Sequence, residues 1–356
     1  MVTSQSNSAR KGPRSKPGRN AGSGRRQHIY SALDLGTNNC RLLIAKPVAG
    51  GFKVIDAFSR VVRLGEGLAS SGRLSEAAQQ RTIDALKVCA SKIRRRRATR
   101  MRHVATEACR SAENCGEFVS RVWDETGLML DVITPAEEAR LAVMGCQSLL
   151  DAVADYALVF DIGGGSTELV LTEIDDDGPK IRDWASIPVG VVNLSERYGA
   201  DAITHGIYRE IRGEVARHLD GDGVFGGLKH LPASASIQLL GTSGTVTTLA
   251  SLHLGLERYD RDRVDGTWIE VEDLLELASM LISMSSAERA RQPCIGPERA
   301  DLVIAGCAIL EAVFAKWPIS RLRVADRGIR EGVLRGLMRR DPLVNGASEG
   351  RRGEDR

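Results

Sequence analysis

The chain repeats itself, and that repeat limits its folds more than any other feature. The stretch "YSALDLGTNNCRLLIAKPVAGGFKVIDAFSRVVRLG" begins at Tyr30, and "YALVFDIGGGSTELVLTEIDDDGPKIRDWASIPVG" begins at Tyr156. Each holds an apolar run ending in an acid, Asp34 or Asp161, then a tight glycine turn, a returning strand, a second glycine loop and a third strand. Turn residues between β-rich runs predict a three-stranded meander in each. Helical patterns follow both: "LSEAAQQRTIDALKVCASKIRRR" after the first and "REIRGEVARHL" after the second. A unit that recurs about one domain apart implies two related α/β domains, each offering an Asp and a glycine turn, with a cleft between them as the default ligand site.

A third turn, "IQLLGTSGTVTTLASL", follows an apolar run and opens a helical one. Gly241, Ser243, Gly244 and Thr245 would place backbone N–H groups at a helix N-terminus, a favourable place for an anion. Beyond about Glu270 the pattern is mostly helical: "EDLLELASMLISM", then "ERADLVIAGCAILEAVFAKW". "RLRVAD" reads as a strand and "RGIREGVLRGLMRR" as a closing helix. The expected organisation is a disordered basic tail over 1–28, a first domain over 29–134 joined by the helix of 325–340, a second domain over 135–324, and a loose tail over 345–356.

Composition removes several function classes. Aromatics make up 4% of the 356 residues, so an aromatic base-stacking surface is not expected. No apolar run approaches the roughly 20 residues that span a bilayer, and no apolar segment of the secretory kind follows the basic head. The seven cysteines form no CxxC pair and fall mostly in apolar patterns, which suits reduced core residues in a cytoplasmic protein. The six histidines are scattered, which leaves little ground for His/Cys metal centres or His-assisted nucleophiles. The net charge of +3 conceals a division: residues 1–28 carry seven Arg and Lys and no acid, so the remainder stands at −4. The head could touch nucleic acid or another polyanion, though a solvated tail is the plainer expectation.

Three places could carry chemistry. In "VITPAEEARLAVMGC", Thr134 is a good N-cap, Pro135 fits the first helical position and Glu137 falls where a capping box wants it. Glu138 is then left in the first helical turn with no capping duty; it serves either the helix dipole or catalysis. In "HVATEACRSAEN", a strand runs into a helix carrying Arg110, whose planar fork suits phosphate oxygens. Asp34, Asp161 and Glu168 are hard oxygen ligands around bare turns, as Mg²⁺ prefers.

These residues resemble a known set. "DLGTNNCRLLIA" and "DIGGGSTELVL" are similar to the two phosphate motifs of the acetate kinase–actin–Hsp70 superfamily. With "ATEACRSAEN", "EEARLAVMG", "LGTSGTVTTLA" and "DRGIREGVL" in order, the chain resembles the exopolyphosphatase/guanosine pentaphosphate phosphohydrolase (Ppx/GppA) family over roughly residues 29–340. The resemblance implies two RNase-H-like (actin-like ATPase) domains with an interdomain cleft, in a short form without a C-terminal helical extension. It implies Glu138 as general base, Arg110 as its catalytic partner on phosphate, and Asp34, Asp161 and Glu168 around Mg²⁺, with a monovalent cation such as K⁺ as a further candidate. Thr37, Asn38, Gly163, Gly164, Gly165, Ser166 and Thr167, with Gly241 to Thr245, become the phosphate-binding set. Position 39, often a small hydroxyl residue in relatives, is Asn here. Implied substrates are inorganic polyphosphate or guanosine penta- or tetraphosphate, with a homodimer expected. A low-turnover nucleotide sensor is the alternative from another class.

Overall fold

The computed structural model describes residues 28–176, 178–199, 203–221, 231–232 and 234–342. The expected head and tail therefore lie outside the described residues, apart from His28. The first half runs β1 (Tyr30–Leu35), β2 (Asn39–Val48), β3 (Gly51–Val61), α1 (Leu68–Ser71), α2 (Glu76–Arg96), β4 (Arg100–Ala105), α3 (Glu107–Ser111), α4 (Cys115–Thr126), β5 (Leu130–Val132) and α5 (Pro135–Cys146). After a single 3₁₀ turn come β6 (Tyr156–Ile162), β7 (Thr167–Glu173), β8 (Lys180–Ile187), α6 (Val191–Tyr198), α7 (His205–Leu219), β9 (Ile237–Ser243) and α8 (Gly244–His253). The remainder is α9 (Arg261–Val264), β10 (Trp268–Glu270), α10 (Val271–Ser283), α11 (Ser286–Arg291), α12 (Val303–Lys316), β11 (Arg321–Ala325) and α13 (Ile329–Arg339).

The repeat is real in three dimensions. The first sheet is ordered β3-β2-β1-β4-β5 and the second β8-β7-β6-β9-β11, with β10 added at its far edge. In each, a meander pairs antiparallel and the central strand then takes a parallel neighbour, β4 beside β1 and β9 beside β6. Parallel neighbours require crossovers, which the helices supply, so the central strands are covered on both faces. That is why β1 and β6 read as near-continuous apolar runs in the sequence. This is the expected α/β class: two actin-like sheets with one topology.

At the far end of the second sheet the structure adds a strand and moves a helix start. The three-residue β10 pairs antiparallel with β11; its length is too short for any period to show. α12 begins at Val303, not at Glu298, because 297–302 forms turns that carry Arg299 to the cleft.

Helices α5 and α13 connect the halves. α5 lays Ala139, Val143 and Cys146 on Val159 and Val170 of the second sheet. α13 lays Ile329, Val333 and Leu334 on Tyr30, Ala32 and Leu43 of the first. The two helices meet nearly backbone to backbone. A Cβ built on Gly145 would stand 2.7 Å from the Gly328 carbonyl carbon, and one on Gly332 would stand 2.9 Å from that of Leu141. Only glycine permits that approach.

Candidate active site

The second glycine turn is held from behind. Val191 N–H donates to Gly163 O (3.0 Å), Val192 N–H to Gly164 O (2.7 Å), and Asn193 Nδ2 to Gly165 O (2.9 Å). Three successive carbonyls thus face the start of α6. In a trans peptide the N–H points opposite its carbonyl, so the N–H groups of Gly164, Gly165 and Ser166 face away from α6. Gly163 to Ser166 line a cavity there. Gly190, just before α6, makes the fit possible: a Cβ on it would stand 2.5 Å from the carbonyl carbon and oxygen of Gly164 and from the nitrogen of Gly165.

The first turn faces the second. A Cβ on Gly164 would meet Thr37 Cβ at 2.8 Å and Asn38 N at 3.3 Å. Thr37 Oγ1 donates to Glu107 Oε2 (2.8 Å). The Asn38 carbonyl accepts from Val62 N and Arg63 N, while its side-chain Oδ1 is buried without a partner. The third turn closes the cavity with Ser243, Gly244 and Thr245; Ser243 caps α8 by accepting from Val246 N (3.0 Å).

Four acids converge at this junction. Asp161 and Glu168 are cross-strand partners in the β6/β7 ladder. The equivalent pair in the first half is Asp34 and Arg41. Opposite residues in an antiparallel pair share one face, where like charges repel, so the first Asp has a built-in counter-charge and the second has a second acid. Glu168 accepts from Ser166 Oγ (2.7 Å) and Ser186 Oγ (2.9 Å). Glu138, 7% exposed, accepts from Arg110 Nη1 at 2.7 Å; the same nitrogen also donates to Ile133 O (3.0 Å). Arg110 is the one guanidinium among the described residues hydrogen-bonded to any of the four acids.

The crowding raises every acid. Burial first, then repulsion from Glu168, lifts Glu138 to about 8 against the pull of Arg110. Burial, then Glu138 and Asp34, lifts Asp161 to about 7. Burial also lifts Glu168 to about 7, despite its serine donors. Asp34 is raised by burial, with Arg41 and Arg330 opposing. Such a group is short of positive charge, which suits a divalent cation. No three His, Cys, Asp or Glu side chains among the described residues form a group that could hold a metal by themselves; a cation bound here would need waters or substrate oxygens to complete its shell.

The structure sorts the sequence candidates. Asp34, Thr37, Asn38, Glu138, Asp161, Gly163, Gly164, Gly165, Ser166, Ser243, Gly244 and Thr245 line the cavity. Arg110 and Glu168 stand behind it, bonded to Glu138 and to Ser166. Thr167 and Gly241 do not line it. Thr167 Oγ1 donates to Val189 O, and Gly241 is the packing site of Phe160, whose Cζ a Cβ would meet at 2.5 Å. Two local expectations change. Thr134 caps α5 by accepting from Glu137 N, but the Glu137 carboxylate turns to Arg102 and Arg140, leaving the capping box half made. The Glu138 side chain is not free, and burial outweighs the helix N-terminus in setting its charge. Sequence reasoning missed Glu107, Gly190, Asn193 and Arg299. For Gly190 and Asn193 the signal was present, since "GVVN" follows the second meander directly.

Fold and site together define a two-domain protein of the actin-like ATPase fold with a glycine cradle in its cleft. The model of the Ppx/GppA phosphatase family matches residues 43–341, and the chain belongs to that family. It is 32% identical over 321 residues to exopolyphosphatase 2 of Mycobacterium tuberculosis, covering 86% of this chain and 98% of that one. The crystal structure of the Aquifex aeolicus member of the Ppx/GppA family matches with a TM-score of 0.71 at 30% identity, over 91% of this chain and 98% of that one. An exopolyphosphatase from Cytophaga hutchinsonii has the same fold, with a TM-score of 0.77 at 24% identity over 90% of this chain and 98% of that one.

Proposed function

We propose that this phosphatase hydrolyses the terminal phosphoanhydride bond of inorganic polyphosphate, releasing one phosphate at a time. One observation carries the reading: the carbonyls of three consecutive glycines are consumed by α6, which turns the N–H groups of the following residues toward a cavity that also receives Glu138. Those N–H groups bind the oxygens of a terminal phosphate. Asp34, Asp161 and Glu168 would hold Mg²⁺, and bound Mg²⁺ neutralises charge on the phosphoryl group. Glu138, fixed by Arg110, accepts a proton from the attacking water at its free carboxylate oxygen as the water oxygen adds in line to the terminal phosphorus; the bridging P–O bond breaks and the shortened chain leaves as its phosphate oxyanion. The base and its guanidinium act as one unit, so Arg110 serves the phosphate through Glu138.

Hydrolysis of guanosine pentaphosphate lies within the same family. Among the described residues no aromatic side chain lines the cavity, and the lack of a stacking surface for a guanine there favours the simpler polyanion. A pure nucleotide sensor has no use for an acid at the cradle. The test measures phosphate release in Mg²⁺ from long polyphosphate and from guanosine pentaphosphate, by the wild type and by Glu138→Gln. Polyphosphate turnover that falls at least 100-fold in the variant is expected. Equal rates would sink the general-base assignment, and a preference for the nucleotide would overturn the choice of substrate.

A further inference from the structure

A carboxylate lies on the phosphate cradle itself. Glu107, the first residue of α3, lines the cavity and is half-buried. Its Oε2 accepts from Thr37 Oγ1 (2.8 Å) and its Oε1 from Ser111 Oγ (2.9 Å). It is pressed against Gly165: a Cβ there would fall 3.1 Å from Oε1 and inside any real contact distance of Oε2. The fold does not need it, because Ala108 and Cys109 make the α3 contribution to the first core. It caps nothing: one carboxylate oxygen is held by Ser111 of its own short helix and the other reaches the two turns. A hydroxyl has one proton to donate. While Thr37 donates to Glu107, it cannot donate to a phosphate oxygen, and the acid crowds the same glycine that a phosphate would approach.

We propose that Glu107 is an affinity-setting residue that holds the place of a phosphate on the cradle and must be displaced by any phosphate that binds. The inference rests on the hydrolase reading above and concerns the same site. Displacement costs every ligand alike. A long polyphosphate, with further contacts along the cleft, retains useful affinity after that cost, whereas orthophosphate does not. Glu107 thereby keeps the product out of the site it has just left.

The experiment measures product inhibition by orthophosphate and KM for long polyphosphate, using the full chain as wild type, Glu107→Gln, Glu107→Ala and Ser111→Ala. Removing one like charge next to the ligand is expected to lower the orthophosphate inhibition constant about tenfold in the Gln variant. KM falls with it while kcat holds within about twofold, and the gain shrinks at ~1 M salt as screening shortens. Ser111→Ala keeps the charge but loosens it and should fall between. If the alanine variant does not fold, the isosteric Gln variant and Ser111→Ala carry the test. An inhibition constant that rises or stays put in Glu107→Gln overturns the proposal, as does a kcat collapse without a KM change. Calorimetric titration with tripolyphosphate in the Glu138→Gln background reads Glu107 without turnover. Failure of the wild type to release phosphate from polyphosphate would then count against the hydrolase reading alone.

Discussion

Two glycines one turn apart on α13 should respond to alanine with opposite signs. At Gly332 a Cβ would lie 2.9 Å from the Leu141 carbonyl carbon, 3.1 Å from its Cα and nearer still to its oxygen, all rigid backbone of α5. Ordinary contact begins at 3.4 Å, so the carbonyl carbon alone would require the helices to part by about 0.5 Å, and the nearer oxygen requires more. At Gly336 the nearest atom is Met144 Cε at 3.8 Å, a flexible tip already at ordinary distance. Replacing a helical glycine with alanine gains up to about 1 kcal/mol of backbone preference. Overpacking at a rigid contact costs about 1–3 kcal/mol. Gly336→Ala should therefore gain up to about 1 kcal/mol, while Gly332→Ala should lose about 1–2 kcal/mol net. At about 2–4 °C per kcal/mol, melting temperatures should move a few degrees in opposite directions. Leu141 lies one turn from Glu138 on α5, so the wedge also displaces the proposed base; kcat for phosphate release should drop tenfold or more in Gly332→Ala and stay near wild type in Gly336→Ala. Thermal melts followed by circular dichroism, with turnover on the same preparations, make the comparison. Both variants shifting the same way, or Gly332→Ala melting at or above wild type with full activity, would refute the reasoning.

As the proposed base, Glu138 should set a rising pH limb. Burial holds its carboxyl at about 8, so kcat/KM should climb with pH toward that value, and more Mg²⁺ should move the limb to lower pH because a nearby cation favours the ionised form. The same raised value means the folded state keeps a proton that the unfolded chain releases, so stability falls as pH rises from about 4.5 to about 8 without metal. Chemical melts across that range should show Glu138→Gln gaining on the wild type as pH rises. His103 supplies the opposite case. Burial lowers it to about 4, and its Nε2 has no partner. The unfolded chain takes up this proton first, so stability drops by roughly 3 kcal/mol as pH falls from 6.5 to 4. His103→Gln should remove that loss in acid melts. Gly190→Ala should disturb the cradle directly: its φ of −140° suits any residue, so the sole effect is the 2.5 Å clash with the Gly164–Gly165 backbone. A tenfold or larger fall in kcat/KM is expected, and unchanged kinetics would show that the loop yields freely.

Whatever depends on neighbours along the chain is legible in the order of the residues. Glycine spacing and apolar runs marked both meanders, and the Asp ending each central strand pointed to the same place in each half. Thr134 and Pro135 placed the start of α5, and so the position of Glu138. These signals are local because strand alternation, turn conformation and helix capping are settled within a few residues. What partners each side chain finds is settled by register and packing between distant segments, and there tertiary structure decided. Arg110, 28 residues before Glu138, turned out to donate to its carboxylate. Glu137 left its cap for Arg102, and Gly241 made room for Phe160. Asp34 faces Arg41 whereas Asp161 faces Glu168, one difference between two otherwise matching hairpins. The repeat announced a cleft. Only the folded chain shows that one of its two walls carries an acid pair, because like charges meet there solely through the pairing of β6 with β7.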